Sequence, residues 1–348
     1  MTSLEASALN IYIDPAYVAF GEDKLFDLSD PILNRDDQLI AMVRLRDAAR
    51  QKGYNISTAD KLRIEAEDSG GGDYYSMGLS PDISMLQELS VKLRGFLLME
   101  PPVVAPGLYA DLSSFTAQFE RVYIHNTHGD GYSFDGVRKD VLRKLYWPIP
   151  YQGVIKQFWG KEDRSKKIVM INGNCKPASF NEELYSKRIE ALADLAKLGA
   201  VDLYGRGWQR WWSRSSMWLP YWRHRRTLMS IYQGACASKY EVLSQYCFAL
   251  CFENMAMRGY ITEKIFDCLY AGTIPLYLGA KDITSYIPED CFIDCRKFDQ
   301  WDSLLAYARS LSVADVRLKR EAGRAFMESD RILPYYHSLE NIMLDQTD

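Results

Sequence analysis

Residues 246–279, YCFALCFENMAMRGYITEKIFDCLYAGTIPLYLG, constrain the fold of this chain more than any other stretch. An apolar run at 248–252 stops at the polar pair Glu253-Asn254, and a glycine-bearing loop follows at 255–261. Thr262 suits an N-cap, where its hydroxyl would accept from a backbone N–H of the first helical turn. Ile265, Cys268 and Leu269 then recur at helical spacing. Gly272 can close the helix in a left-handed turn, and 273–278 is a second apolar run. The pattern predicts strand, loop, helix, strand. Loops between a strand and a helix N-terminus often hold phosphates, because free N–H groups and the helix dipole favour an anion there. Tyr260, Glu263 and Lys264 supply a ring, a hydroxyl acceptor and a cation at this point. An ordinary βαβ unit with a solvated Glu-Lys pair explains the local pattern more simply.

The rest of the chain repeats the strand–helix rhythm. Strands are expected at 9–13, 54–57, 95–99 and 119–125, and helices at 34–52 and 86–93. Leu39, Met42, Leu45 and Ala49 fall on one face of the helix at 34–52. Residues 69–73, Ser-Gly-Gly-Gly-Asp, read as a loop. Pro148, Pro150, Gly153 and the charged run 161–167 mark a boundary between domains at 1–155 and 160–330, with 331–348 as a tail. Beyond that boundary come a strand at 168–171, a helix at 184–198, strands at 201–204 and 292–294, and helices at 301–311 and 318–329. This alternation predicts parallel, Rossmann-like α/β domains.

At 348 residues the chain has room for two cores, and its 47% hydrophobic and 25% charged content suits a folded, soluble protein. A formal net charge of −4 gives no reason to expect nucleic acid as a partner. No apolar run is long enough for a transmembrane helix, and residues 1–20 lack the pattern of a signal peptide. Seven cysteines without CxxC spacing suit reduced thiols. These observations predict a cytoplasmic protein. With four histidines and no D-x-D, no metal site is expected.

Taken in order, Cys247-Phe-Ala-Leu-Cys-Phe-Glu-Asn254, Gly259-Tyr-Ile-Thr-Glu-Lys264 and Ala271-Gly-Thr-Ile-Pro-Leu-Tyr-Leu-Gly279 resemble the donor-binding motif of the α-1,3-fucosyltransferases, glycosyltransferase family 10. The resemblance extends to Ile171-Asn-Gly-Asn-Cys175, Arg188 and Asp202-Leu-Tyr-Gly-Arg-Gly207 upstream, and to Ile287-Pro288 and Phe292-Ile-Asp294 downstream. It covers about residues 168–300 and touches the first half only faintly. It implies a GT-B fold, with two Rossmann-like domains facing across a cleft and the nucleotide held by the C-terminal one. It also implies an inverting enzyme that needs no cofactor beyond its donor, GDP-fucose, and transfers the sugar to an oligosaccharide or a lipid-linked glycan. A transferase for another nucleotide sugar, or an inactive glycan-binding relative, are the alternatives.

Carried over by the resemblance, Arg188 and Lys264 would hold the pyrophosphate, where fixed cations stabilise charge building on the leaving group. Glu263 would accept from the ribose hydroxyls. Asn254 and Tyr260 would line the pocket, and Glu253 would help shape it. An inverting transfer needs a base, which the family takes from the N-terminal domain. Glu100 fits, ending an apolar run and followed by Pro101-Pro102. Asp111, Glu120 and Asp130 are weaker candidates, and His125 and His128 stand near a strand end.

The chain departs from the family at 208–226. Trp208, Trp211, Trp212, Trp218 and Trp222 fall there with Arg210, Arg214, Arg223, Arg225 and Arg226, and no acidic residue interrupts residues 207–238. Trp and Arg together suit a headgroup interface, so a peripheral contact with the inner face of a membrane is expected.

Overall fold

The computed structural model describes residues 9–62, 71–89, 91–210 and 218–345, which form two compact units. The first comprises residues 1–150 and 334–348, the second residues 151–333.

The first unit is built on a six-stranded sheet in the order β2-β1-β3-β4-β5-β6. Its strands are β1 (Asn10–Asp14), β2 (Asn55–Thr58), β3 (Asp73–Ser76), β4 (Lys92–Leu97), β5 (Arg121–Ile124) and β6 (Leu142–Lys144). Every pairing is parallel. Both faces of such a sheet must therefore be covered, and strand alternation sorts its side chains into two cores. Ile11, Ile13, Tyr75 and Leu97 pack with the helix Ile40–Gln51 on one face. Tyr12, Tyr74, Phe96 and Leu98 pack with the helix Leu112–Gln118 on the other. The strand β3, placed between β1 and β4, was not expected from the sequence. Its Tyr-Tyr pair follows a glycine run and lacks an alternating pattern. The helix expected at 86–93 is shorter, Ile83–Glu88, and Leu93 belongs to β4.

The expected C-terminal tail is part of this first core. Leu339, Ile342 and Met343 pack among Met42, Leu45 and Ala49. Arg44 holds the segment in place. It donates to Glu340 Oε1 at 2.7 Å, to Pro150 O at 2.9 Å and to Tyr336 O, and its guanidinium lies 3.8 Å from the Tyr336 ring centre.

The second unit carries a second all-parallel sheet in the order β12-β11-β10-β7-β8-β9. The strands are β7 (Ser165–Ile171), β8 (Val201–Tyr204), β9 (Tyr232–Gly234), β10 (Tyr246–Phe252), β11 (Ile274–Leu278) and β12 (Ile293–Asp294). Every residue of β10 is buried, as a central strand covered on both faces requires. The helices Tyr185–Lys197 and Glu263–Ala271 connect neighbouring strands, and Gly272, at φ 70°, ends the second in the left-handed conformation expected for it.

Substituting Arg44 with Ala would leave Glu340 buried without its cation. The first unit should lose about 3 kcal/mol of stability, read by denaturant unfolding. Unfolding at the wild-type midpoint would show that the tail is held by its apolar contacts alone.

Candidate functional site

In open parallel sheets, ligands collect at the carboxyl ends of the strands where the chain order reverses. In the second unit that point lies between β7 and β10, since β7 leads to β8 on one side and is paired with β10 on the other. Three groups of polar residues meet there.

Arg188 is the first. It sits one turn into the helix Tyr185–Lys197 and is only 3% exposed. Its guanidinium donates to Asn172 Oδ1 at 2.9 Å, just past β7, and to Phe252 O at 2.9 Å and Asn254 Oδ1 at 2.8 Å, at the end of β10. Arg188 therefore ties together the two strands that flank the switch point. Its guanidinium also lies 4.6 Å from the centre of the Tyr185 ring. Burial pulls its pKa below the usual arginine range, opposed by Tyr185, Glu253, Tyr260 and Cys175. All three of its hydrogen-bonding partners are neutral, so no carboxylate cancels its charge through a direct bond.

The second group centres on Glu253, which has no exposed surface. Thr262 donates to it twice, from its backbone N–H to Oε1 at 2.8 Å and from its hydroxyl to Oε2 at 2.7 Å. Lys264 Nζ reaches Oε2 at 3.3 Å and donates to the Thr262 hydroxyl at 2.8 Å. Thr262 does occupy the N-cap of the helix Glu263–Ala271, but its hydroxyl makes no capping bond. The hydroxyl is turned to Glu253 instead, because a buried carboxylate without donors costs far more than a missing cap.

Glu263 forms the third group, in the first turn of the same helix and 3.4 Å from Lys264 Nζ. Desolvation acts to raise its pKa. Lys264, Lys239 and hydrogen bonds from its own N–H and from Thr262 outweigh that and hold the carboxyl below its usual range. Tyr260 is 1% exposed, a buried ring beneath the site.

The sequence-expected residues Arg188, Asn254, Tyr260, Glu263 and Lys264 thus all belong to this one unit. Arg188 bonds Asn254, and Lys264 pairs with Glu263. Three contributors were not expected. Asn172 anchors Arg188, and Trp208 Nε1 donates to the Asn172 carbonyl at 2.7 Å. Gly279 is the third. A Cβ placed on it would lie 2.5 Å from Glu253 Cγ and 2.5 Å from the Tyr277 hydroxyl. The sequence signal for it was the glycine closing the second apolar run, where a side chain would displace the buried carboxylate.

Glu100 belongs to the first unit, in a bend beyond β4, partly exposed. The Tyr109 hydroxyl donates to its carbonyl at 3.1 Å, which fixes the backbone there. His125 is buried, with Nε2 2.9 Å from Met99 O. Glu120 pairs with Arg94 at 2.6 Å, Asp111 is exposed before the helix Leu112–Gln118, and the Asp130 N–H donates to Asn126 Oδ1. At the end of β1, Asp14 accepts from the Tyr74 hydroxyl at 2.6 Å. Burial pushes its carboxyl above the usual range against the pull of that bond, and Asp60 adds to the rise.

The aromatic segment serves the core. Trp208 and Trp218 are buried and Trp222 is half-buried. Arg210, Arg223 and Arg226 are exposed and Arg225 is half-buried, while Trp211, Trp212 and Arg214 lie outside the described residues. Trp208 and Trp218 are packing residues and so present no aromatic surface. Among the described residues, no helix is long and apolar enough to cross a membrane, and no group of three or more His, Cys, Asp or Glu is placed to hold a metal ion.

Two Rossmann-like units in succession give the chain the α/β architecture of the GT-B glycosyltransferases. Residues 161–320 match the model of glycosyltransferase family 10 (fucosyltransferase), C-terminal part. It is 39% identical to the α-(1,3)-fucosyltransferase FucT of Helicobacter pylori over 74 residues, 21% of this chain and 16% of that enzyme. It is 28% identical to GDP-fucose protein O-fucosyltransferase 3 of Mus musculus over 238 residues, 67% of this chain and 42% of that protein. The chain thus spans less than half the length of either relative. Its fold matches a crystal structure of an α1,3-fucosyltransferase at a TM-score of 0.50 and 15% identity, covering 95% of this chain and 84% of that one.

The expected cytoplasmic placement, at or near the inner face of a membrane, is contradicted by these relatives. Protein O-fucosyltransferase 3 of Xenopus laevis, Mus musculus and Homo sapiens are enzymes of the endoplasmic reticulum lumen. The inference from reduced thiols fails for a physical reason. Five of the seven cysteines are buried, so their state follows the packing around them and does not report the compartment.

Replacing Gly279 with Ala should cost about 1–3 kcal/mol of stability, because neither Glu253 nor Tyr277 can move without breaking buried contacts. Thermal unfolding of the variant checks this, and a wild-type melting point would mean that the carboxylate has room to shift.

Proposed function

We propose that the chain is an inverting sugar transferase that moves fucose from GDP-fucose to an acceptor hydroxyl. The observation that carries this reading is the pair Arg188 and Lys264 at the carboxyl end of β10, inside the domain that matches the fucosyltransferase family. Departure of GDP builds negative charge on its β-phosphate, and fixed cations in a low-dielectric site stabilise that charge without reorganising. Lys264 acts as a point charge at a helix N-terminus, where the dipole favours the same anion. Glu263 accepts from the ribose hydroxyls, and its lowered pKa keeps it an acceptor at neutral pH. Asn254 and Tyr260 line the pocket.

Glu100 is the base in this reading. It takes the acceptor proton as the oxygen attacks the sugar C1, in a single displacement with no covalent intermediate. The acceptor is a glycan hydroxyl in the first reading. A hydroxyl on a protein is the second, favoured by one observation: the protein O-fucosyltransferase 3 of mouse aligns with 67% of this chain, against 21% for the bacterial enzyme.

GDP should raise the melting temperature of the protein, and Lys264→Ala should remove most of that rise. Protection by UDP and none by GDP would replace the donor. Glu100→Gln should keep the GDP protection and lower transfer by about a hundredfold or more, measured as fucose incorporated into N-acetyllactosamine or into a folded protein acceptor. Unchanged transfer would take Glu100 out of the base role.

A further inference from the structure

The Glu253 carboxylate is the most deeply buried charge of the site, and the proposed reaction gives it no step. Its surroundings assign it one. It ends the central strand β10 with no solvent contact, and its N–H is held by Leu278 O at 2.8 Å, so neither backbone nor side chain can follow a ligand. Oε2 accepts from the Thr262 hydroxyl at 2.7 Å, and that same hydroxyl accepts from Lys264 Nζ at 2.8 Å. The ammonium can only donate, so the hydroxyl turns a lone pair to Lys264 and directs its one proton to the carboxylates, with Glu253 Oε2 at 2.7 Å. The direction of the relay is fixed: Lys264 to Thr262 to Glu253, with a second, longer contact from Lys264 to Oε2 at 3.3 Å. From the opposite side Gly279 leaves space for the carboxylate and for nothing more.

We propose that Glu253 is a positioning residue for the donor diphosphate: through Thr262 it fixes the Lys264 ammonium in one place, and this lets the pocket prefer a nucleoside diphosphate over a monophosphate. The inference rests on the donor reading above. A lysine on four flexible carbons loses much of its electrostatic contribution in ordering itself when a ligand arrives. Held beforehand by the Thr262 hydroxyl and the Glu253 carboxylate, with Glu263 3.4 Å away, it meets the second phosphate already placed, which is the preorganisation that electrostatic stabilisation requires. Turning the Thr262 hydroxyl to Glu253 also takes it away from the first turn of the helix Glu263–Ala271, the position at which it would otherwise compete with an anion.

The neutral isostere separates this role from a merely structural one. In Glu253→Gln, the amide oxygen can still accept from the Thr262 N–H, but the NH2 group would face the Thr262 hydroxyl and Lys264, donor against donors. Equilibrium dissociation constants for GDP and GMP, taken on the wild type, E253Q, K264A and the double variant, give the result. E253Q should reduce the GDP-over-GMP preference by about tenfold, K264A by a similar factor, and the double variant no further than K264A alone, as for residues that act through one another. GMP affinity should stay near wild type throughout. Thr262→Val, which removes the relay hydroxyl and keeps both charges, should lower the preference several-fold and serves if E253Q does not fold. An unchanged GDP-to-GMP ratio in a folded E253Q or T262V protein, or additive losses in the double variant, would overturn the role of Glu253 and leave the donor reading intact. A wild-type protein that binds neither nucleotide would remove the donor reading itself.

Discussion

A carboxylate with no water around it governs the second unit. Glu253 stands at the end of the innermost strand, and burying an unpaired carboxylate would cost several kcal/mol. The chain beyond it must return to supply donors. It does so through the loop that ends at Thr262, whose N–H and hydroxyl both point back. That return fixes where the helix Glu263–Ala271 begins and therefore where Lys264 stands. The helix then closes at Gly272 and feeds β11, which runs beside β10 and ends at Gly279, against the same carboxylate. Strand, loop, helix and strand are closed into a ring around one charge.

Arg188 organises the other side of the switch point by different means. Its partners are an amide oxygen from beyond β7 and a carbonyl and an amide oxygen from β10 and beyond, so it joins two strands without a salt bridge. A buried guanidinium bonded through its two terminal nitrogens to neutral oxygens keeps its field, because no directly bonded anion screens it. The two cations of the site are therefore prepared differently. Lys264 is fixed by a carboxylate that partly offsets its charge, and Arg188 is fixed by dipoles that leave its charge largely intact.

The sequence pattern carried residues 246–279 almost to the residue, while β9 and the helices Leu219–Ile231 and Lys239–Leu243 were not read from it. Apolar runs at 248–252 and 273–278 became β10 and β11, and the helical spacing of Ile265, Cys268 and Leu269 became the helix between them. These elements were legible because a fully buried parallel strand is apolar throughout and because a glycine stop marks the helix end. In the first unit β3 was missed, since Tyr74 and Tyr75 face opposite cores and leave no period to read. Burial of polar groups was equally out of view. Arg188 on a helical wheel looks solvated, Thr262 looks like a cap, and Trp208 and Trp218 look like an interface. Each was decided by a partner distant in sequence: Asn172 and Asn254 for Arg188, Glu253 for Thr262, the Asn172 carbonyl for Trp208.

The two glutamates singled out above show how environment divides roles between identical side chains. A general base must keep a lone pair free to receive a proton and must reach a hydroxyl brought in from solvent. Glu253 fails both requirements. Its oxygens already accept from the Thr262 N–H, the Thr262 hydroxyl and Lys264, and no solvent touches it. Protonating it would also break the relay that holds Lys264. The base of the proposed reaction must therefore come from outside this ring of contacts. In the proposed reaction that role falls to Glu100, which is partly exposed and follows a strand at the carboxyl edge of the other parallel sheet, with its backbone held by Tyr109. A pocket that uses its own carboxylate to place a cation has none left at that position for proton transfer.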